Sequence, residues 1–191
     1  MARLGTVPEV RIVEFDPSSD AHALVGFLST NTFPFHVRPR VSEAEARGRV
    51  SAGHYWSGER TGHWVELDGD RIGIAVLEDI DDIPGGGAPL FDLRLADEFR
   101  GRGLGEAVLR RFTSHVFEKY STLRRFEGQT REDNLAMRRV FVRSGWVKEA
   151  HYREAWPTAD GDVLASIAYG VLRRDWESGT TTPVNWDDLP V

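Results

Sequence analysis

The fold of this chain is decided by FDLRLADEFRGRGLGEAVLRR, residues 91–111. It opens with apolar residues in alternation (Phe91, Leu93, Leu95), the period of a strand with one covered face. Ala96-Asp97-Glu98-Phe99 makes a polar elbow. Glycines at 101, 103 and 105 then alternate with Arg100, Arg102 and Leu104, and an amphipathic helical pattern starts at Leu104. Strand, glycine loop and helix follow one another without a gap. Glycines let the backbone turn tightly and aim several N–H groups at one point. The helix start adds partial positive charge there, and the two arginines add full charges. The stretch predicts a cradle for a phosphate or pyrophosphate.

Upstream, Asp68-Gly69 between Trp64–Leu67 and Arg71–Leu77 predicts a hairpin. An acidic Gly-Pro loop over 79–88 leads to a third strand, Pro89–Leu95. Nearer the N-terminus the pattern gives a short strand over Val10–Phe15 and a helix near Asp20–Ser29. A capping box of Ser42 and Glu45 opens a further helix running to about Val50. Between those helices, Phe33, Phe35 and His36 sit in a loop with two prolines. Bulky apolar residues in a loop are expensive to expose, so this loop should cover something. Downstream, a helix is predicted over Gly103–Tyr120, with Leu104, Val108, Phe112 and Val116 in one stripe and Leu109 beside it. A strand over Arg124–Thr130 and a helix over Glu132–Arg143 follow. That helix should turn Ala136, Met137, Val140 and Phe141 inward and end at Ser144-Gly145. Strands at Trp146–Ala155 and Leu164–Leu172 complete the pattern, and the sequence is polar from Ser178. Hairpins on both sides of one βαβ unit imply a single α/β domain over residues 1–177 with a mixed, mostly antiparallel sheet, followed by a tail over 178–191.

Composition narrows the class. A length of 191 residues suits one domain, and 40% apolar with 28% charged residues places it among globular proteins. No run has the length of a membrane span and no leader pattern precedes the domain, so the expectation is a cytoplasmic protein without a membrane partner. The absence of cysteine excludes disulfides, thiolate metal sites and a cysteine nucleophile. A net charge of −6 argues against nucleic acid as a partner and suits a cationic substrate. No metal-ligand spacing is present, so no metal is expected.

Three ligands compete for the glycine loop. A nucleoside triphosphate loop needs GxxxxGK[ST], and no Lys-Ser or Lys-Thr follows these glycines. A dinucleotide fingerprint needs GxGxxG. Gly101 and Gly103 fit it, the third position is Glu106, and Glu127 stands where a ribose-binding acid would stand. That keeps a dinucleotide-binding oxidoreductase domain as an alternative, although such a fingerprint usually opens its domain and here three strands precede it. The third match is Arg100-Gly101-Arg102-Gly103-Leu104-Gly105 to [Gln/Arg]-x-x-Gly-x-[Gly/Ala]. It resembles the pyrophosphate loop of the GNAT N-acetyltransferases, and residues 93–99 look like the strand and elbow before that loop. Asn134, followed eleven residues later by Gly145-Trp146, resembles the family's Asn…Gly-Phe pattern. His151-Tyr152-Arg153-Glu154-Ala155 and LASIAYGVLRRDW (164–176) are similar to the RimJ/RimL-like branch. The resemblance covers about residues 70–176.

What the resemblance implies is a GNAT-like fold in which two central parallel strands splay apart. It implies acetyl transfer from acetyl-CoA, as co-substrate, to an amine in a ternary complex, the acceptor being a protein N-terminus, a small amine or an antibiotic. A thioester is already activated. The enzyme need only align the reactants, deliver a neutral amine, stabilise the oxyanion and protonate the thiolate. By the same resemblance, the backbone at Leu93 and Leu95 would bind the pantetheine arm. Arg100, Gly101, Arg102, Gly103, Leu104 and Gly105 would take the pyrophosphate, and Asn134 would bind the arm or a water near the sulfur. The tyrosine that many members carry seven residues after that asparagine is Phe141 here, which has no proton to give. Ser144, Asn134 through water, or solvent would then protonate the thiolate, and a non-catalytic acyl-CoA-binding module becomes an alternative. For the base, Asp92 on the pantetheine strand leads, with Glu66 and Glu78 beside it and His36 and His63 behind. Each acid could equally be a solvated strand residue. Phe33, Phe35 and His36 are the expected acceptor wall, and the protein is expected to be a monomer or homodimer.

Overall fold

A computed structural model describes residues 9–187. Its elements are β1 (Val10–Glu14), α1 (Pro17–Thr30), α2 (Glu43–Ser51), β2 (Thr61–Leu67), β3 (Asp70–Glu78), β4 (Leu90–Leu95), α3 (Gly105–Lys119), β5 (Arg125–Arg131), α4 (Leu135–Arg143), β6 (Val147–Pro157), β7 (Val163–Leu172) and α5 (Arg173–Ser178). Local chemistry explains most of the boundaries. Ser42 and Glu45 cap α2 reciprocally, as their spacing predicts. Helix α1 begins earlier than the apolar pattern suggests, because Asp16 accepts from Ser18 N and Pro17 fits the first helical turn. Helix α4 begins later, at Leu135, because Asn134 accepts from Met137 N and caps it. The 79–88 loop contains a short 3₁₀ turn at Ile80–Gly85.

Helix α5 has no counterpart in the sequence reading, which ends the last strand at Leu172 and assigns no element to the residues after it. Arg173 accounts for it. Its guanidinium donates to the carbonyls of Phe117, Tyr120 and Leu123 at 2.6–2.8 Å, closing the C-terminal end of α3 and fixing the chain direction after β7. Beyond α5, Asp175 accepts from Thr182 N and Oγ1, so the start of the polar segment is pinned.

The strands form two sheets, β1-β2-β3-β4 and β5-β7-β6, and every ladder pairing among the described residues is antiparallel. Helix α3 carries the chain from β4 to β5. These two strands start together, with Glu127 N donating to Pro89 O at 3.4 Å, and no ladder joins them further along. The expected mixed sheet is thus two antiparallel sheets meeting along a splayed seam.

Aromatic packing clamps the closed end of that seam. Phe91 lies 5.1 Å from Phe126, 5.6 Å from Phe112 and 5.8 Å from Trp146 between ring centroids. Gly128 of β5 makes room, since a Cβ there would stand 2.5 Å from the Phe91 ring. The stripe expected on α3 is inside: Val108, Leu109, Phe112 and Val116 have no exposed surface. On the other face of the first sheet, α1 and α2 cover Trp64, Ile74 and Val76 with Leu24, Leu28 and Val50.

His63 is part of this interior and not of any cleft. It is fully buried on β2, its Nδ1 is 3.2 Å from Ala75 O, and its ring meets that of His115 edge to face at 4.9 Å. Burial first, and then the neighbouring His115, push its pKa down to about 4. The folded value lies below the unfolded one of about 6.5. The neutral form's contribution is therefore complete above pH 6.5 and is lost as pH falls toward 4. The amount at stake is at most about 3 kcal/mol. Urea denaturation at pH 7.5 and 4.5 should show a stability drop that His63→Asn reduces. An identical drop in the variant would assign the acid sensitivity to other groups.

Candidate active site

Where β4 and β5 part, the surface opens into two cavities, of about 420 and about 330 Å³. The first runs from the loop after α1 along Leu93–Leu95, past Gly101–Glu106, to Val140 and Arg143 of α4. The second is walled by Glu78, Asp92, Gln129, Thr130 and Trp156. Phe35, His36, Leu93, Asn134 and Met137 line both, so the cavities share one threshold.

The first cavity ends at the glycine loop and the start of α3. Gly101 and Gly103 take φ of +73° and +79°, a region that side chains disfavour. Leu104, at the N-cap of α3, makes no side-chain cap, and the first bond of the helix runs from Val108 N to Leu104 O at 3.0 Å. The N–H groups from Gly101 to Ala107 have no acceptor among the described residues. Unpaired donors converging at a helix start are a fitting site for a pyrophosphate. Arg100 lines this cavity and bonds to Asp97 and Thr32. The Arg102 side chain leans away, its guanidinium 5.4 Å over the Phe99 ring, so only the backbone of Arg102 remains for the cradle.

At the threshold, Asn134 spends its Oδ1 on Met137 N (3.2 Å) and one Nδ2 hydrogen on Thr130 Oγ1 (3.0 Å). One N–H is left for a ligand. Asp92 is tied on both sides: His36 Nε2 lies 2.9 Å from its Oδ1, and Arg94 Nε lies 2.9 Å from its Oδ2. Burial would raise this carboxyl, but the Arg94 guanidinium and His36 overcome it and hold Asp92 well below the usual carboxylate range. A carboxylate so stabilised is a poor proton acceptor, and Asp92 serves as an anchor. Arg94 is 9% exposed and stacks 4.8 Å over Phe33. Asp92→Asn would leave that guanidinium without its counter-charge. We expect a loss of about 3 kcal/mol, read as a lower urea midpoint; an unchanged midpoint would show that the pair contributes nothing.

Glu78, at the end of β3, behaves in the opposite way. Burial raises its carboxyl, which Arg60 at 3.5 Å only partly offsets. One cavity therefore holds two carboxylates with pKa values pushed apart, an arrangement that separates an anchor from a proton acceptor. Glu66 lines neither cavity and faces Arg11 in the β1–β2 ladder.

Ser144 is not brought to the threshold. It caps the C-terminal end of α4 and lines a separate hollow with Arg110, Thr113 and Thr180. Phe141 has no exposed surface and stacks at 4.5 Å on Tyr169, whose hydroxyl accepts from Arg138 Nε and lines neither cavity. Among the described residues the one hydroxyl lining either cavity belongs to Thr130, which the sequence reading does not name as a site residue; nor does it name Gln129, Trp156 or Met137, the last expected only to point inward. Trp156 reaches the cavity after a bulge in β6, where Glu154 takes φ +52°; no sequence signal marks that bulge. Among the described residues no group of three His, Asp or Glu side chains could hold a metal ion, and no helix is long and apolar enough to cross a membrane.

Two cavities thus meet at a split seam, one ending at the glycine loop and the start of α3, the other holding the Glu78 and Asp92 carboxylates. A family model described as an acetyltransferase (GNAT) domain matches residues 10–147, and the chain belongs to that family. The dinucleotide reading falls with it, since the glycine loop lies between antiparallel sheets and not in a doubly wound parallel one. A search of curated proteins finds no match. Among solved structures the chain is similar to a spermidine N-acetyltransferase from Vibrio cholerae in complex with CoA and spermine (TM-score 0.73, 16% identity, covering 88% of this chain and 98% of that one). It is also similar to RimL, a ribosomal L7/L12 alpha-N-protein acetyltransferase in complex with coenzyme A (TM-score 0.69, 20% identity, 85% and 93% covered). A probable acetyltransferase gives 0.70 at 22% identity, with 87% and 94% covered. At such identities the likeness concerns the fold.

Proposed function

We propose that this chain moves the acetyl group of acetyl-CoA directly onto a primary amine held in the second cavity. The observation that carries this reading is the shared threshold, where a donor bound along β4 and an acceptor beside Glu78 would meet at Leu93 and Asn134. The unpaired inner edge of β4 offers Leu93 and Leu95 backbone groups to the pantetheine amides, as a strand would. The N–H groups of Gly101–Gly105 receive the pyrophosphate. Both binding surfaces belong to one rigid segment, so the thioester is held in register with the acceptor cavity.

An amine reaches the cavity as an ammonium, favoured by the carboxylates of Glu78 and Asp92. Glu78 accepts its proton, directly or through one water. The neutral nitrogen forms a bond to the thioester carbon, and the electron pair of the carbonyl moves to its oxygen, where a backbone N–H of the β4 edge stabilises it. The carbon–sulfur bond then breaks and the thiolate takes a proton from water held by Asn134 and Thr130; the second proton leaving the nitrogen neutralises the hydroxide so formed, and Glu78 releases the first proton to solvent. The products are the N-acetyl amine and CoA. Asp92 keeps His36, and with it Phe35, at the acceptor wall.

The acceptor is either a peptide α-amine or a small amine, the two classes named for the RimL and spermidine enzymes, and the reaction belongs in the cytoplasm. The test is thiol release from acetyl-CoA across peptides with free N-termini, diamines and polyamines. Release with one class supports the reading. Tight CoA binding with no release for any amine would favour the acyl-CoA-binding module, which the buried Phe141 in place of a tyrosine also suggests.

A further inference from the structure

The loop between α1 and α2 is bolted to the segment that carries the cofactor loop. Asp97 N donates to Asn31 Oδ1 at 2.8 Å, and Thr32 N donates to Asp97 Oδ1 at 2.9 Å. The Thr32 hydroxyl lies 3.1 Å from Asp97 Oδ2, and Arg100 Nη2 donates both to that hydroxyl, at 3.1 Å, and to the Asp97 carboxylate. All but the Arg100–Asp97 bond join residues more than sixty positions apart in sequence. One residue further along, Phe33 is 2% exposed under Arg94, and His36 bonds to Asp92. The loop is therefore fastened at two points, and both fasteners, Asp92 and Asp97, stand on the strand and elbow that lead into Gly101–Gly105. Arg100 belongs to both sides. It lines the first cavity, and one of its terminal nitrogens is committed to Thr32.

We propose that Asp97 and Thr32 are positioning residues which, through Arg100, couple occupancy of the cofactor cradle to the order of the acceptor loop 31–41. A guanidinium has five N–H donors in a rigid fork. The Nη2 edge holds the loop, and the remaining edge is available to a phosphate oxygen of the cofactor. A phosphate on that edge fixes the plane of the fork, and the fixed fork holds Thr32 and the loop that follows. Coupling of this kind is reciprocal, so an ordered acceptor loop also favours cofactor binding. The proposal rests on the reading of the glycine loop as the cofactor cradle and goes beyond it, because the coupling passes through residues outside the cradle.

The amide at position 32 reports directly, since its N–H is bonded to Asp97. Hydrogen exchange of the whole chain would be followed with and without saturating coenzyme A, in the wild type, in Thr32→Val, which removes the bridging hydroxyl at nearly constant volume, and in Thr32→Ser, which keeps it. In the wild type coenzyme A should slow exchange at position 32 about fivefold, the low end of usual couplings. In Thr32→Val it should still slow the amides of Gly103–Gly105, with its Kd weakened by no more than about the same fivefold, yet leave position 32 unchanged. Thr32→Ser should restore the slowing. Equal slowing at position 32 in Thr32→Val would show that the cofactor orders the loop by touching Phe33–His36 directly, and would overturn the proposal. So would a wild type in which the cradle is protected and position 32 is not. No protection at Gly103–Gly105 in any protein would remove the cofactor reading and the coupling together.

Discussion

Glu78→Gln is expected to lower kcat/KM for acetyl transfer by about 10²–10⁴, the usual contribution of a positioned general base. The amide keeps the size of the side chain and loses only the ability to take a proton. A base works in its deprotonated form, so kcat/KM should rise with pH through the Glu78 pKa. Burial has moved that pKa upward, and the acidic limb should lie above the ordinary carboxylate range. In Glu78→Gln the limb should vanish while the affinity for coenzyme A is retained. Asp92 cannot replace it, because its lone pairs are already committed to His36 and Arg94. A loss smaller than about threefold, with the limb still present, would assign the limb and the proton transfer to another titrating group.

Gly103→Glu is expected to weaken coenzyme A binding by about two orders of magnitude, with the fold intact. Two causes add. The φ of +79° at Gly103 disfavours any side chain by about 1–2 kcal/mol. The new carboxylate would also stand among N–H groups that would otherwise meet a pyrophosphate, setting like charge against the ligand. A Cβ at this position meets nothing within 4 Å, so no core packing is disturbed. Gly103→Ala separates the causes, since it keeps the strain without the charge and should lose far less affinity. Titration calorimetry measures both, and the far-ultraviolet dichroism of each variant should match the wild type. Unchanged affinity in Gly103→Glu would place the pyrophosphate elsewhere.

What could be read from the residues is what depends on near neighbours in sequence. The glycine loop, the α3 stripe and the Ser42–Glu45 box are all set within a few residues, and all three lie where the pattern puts them. The site itself is assembled across long separations. Asp92 looked like a base because a carboxylate on the pantetheine strand is well placed, yet its character is set by His36, fifty-six positions away, and by Arg94. Arg94 was within reach of the sequence reading, since residues two apart share a strand face. His36 was not. Ser144 is near Phe141 in sequence, but at the C-cap of α4 it faces a separate hollow. Thr130 and Trp156 enter the site only because two sheets diverge and one strand bulges, and periodicity has no signature for either.

The parting of β4 from β5 has a thermodynamic consequence. Each is a strand in the middle of the molecule with one edge that no other strand covers. The bare chain therefore carries an unfinished sheet at its centre, held by Phe91 and its aromatic neighbours at one end only. A molecule whose amides lie along that edge supplies the missing pairing, and it can do so only for the native state. Its binding energy then adds to the unfolding free energy, by about 2.7 kcal/mol at a hundredfold excess over Kd. For a domain of this size that raises the melting temperature by roughly 5–10 °C. Heat resistance should thus follow the concentration of coenzyme A, and the protein is most exposed to unfolding and proteolysis when its donor substrate is scarce.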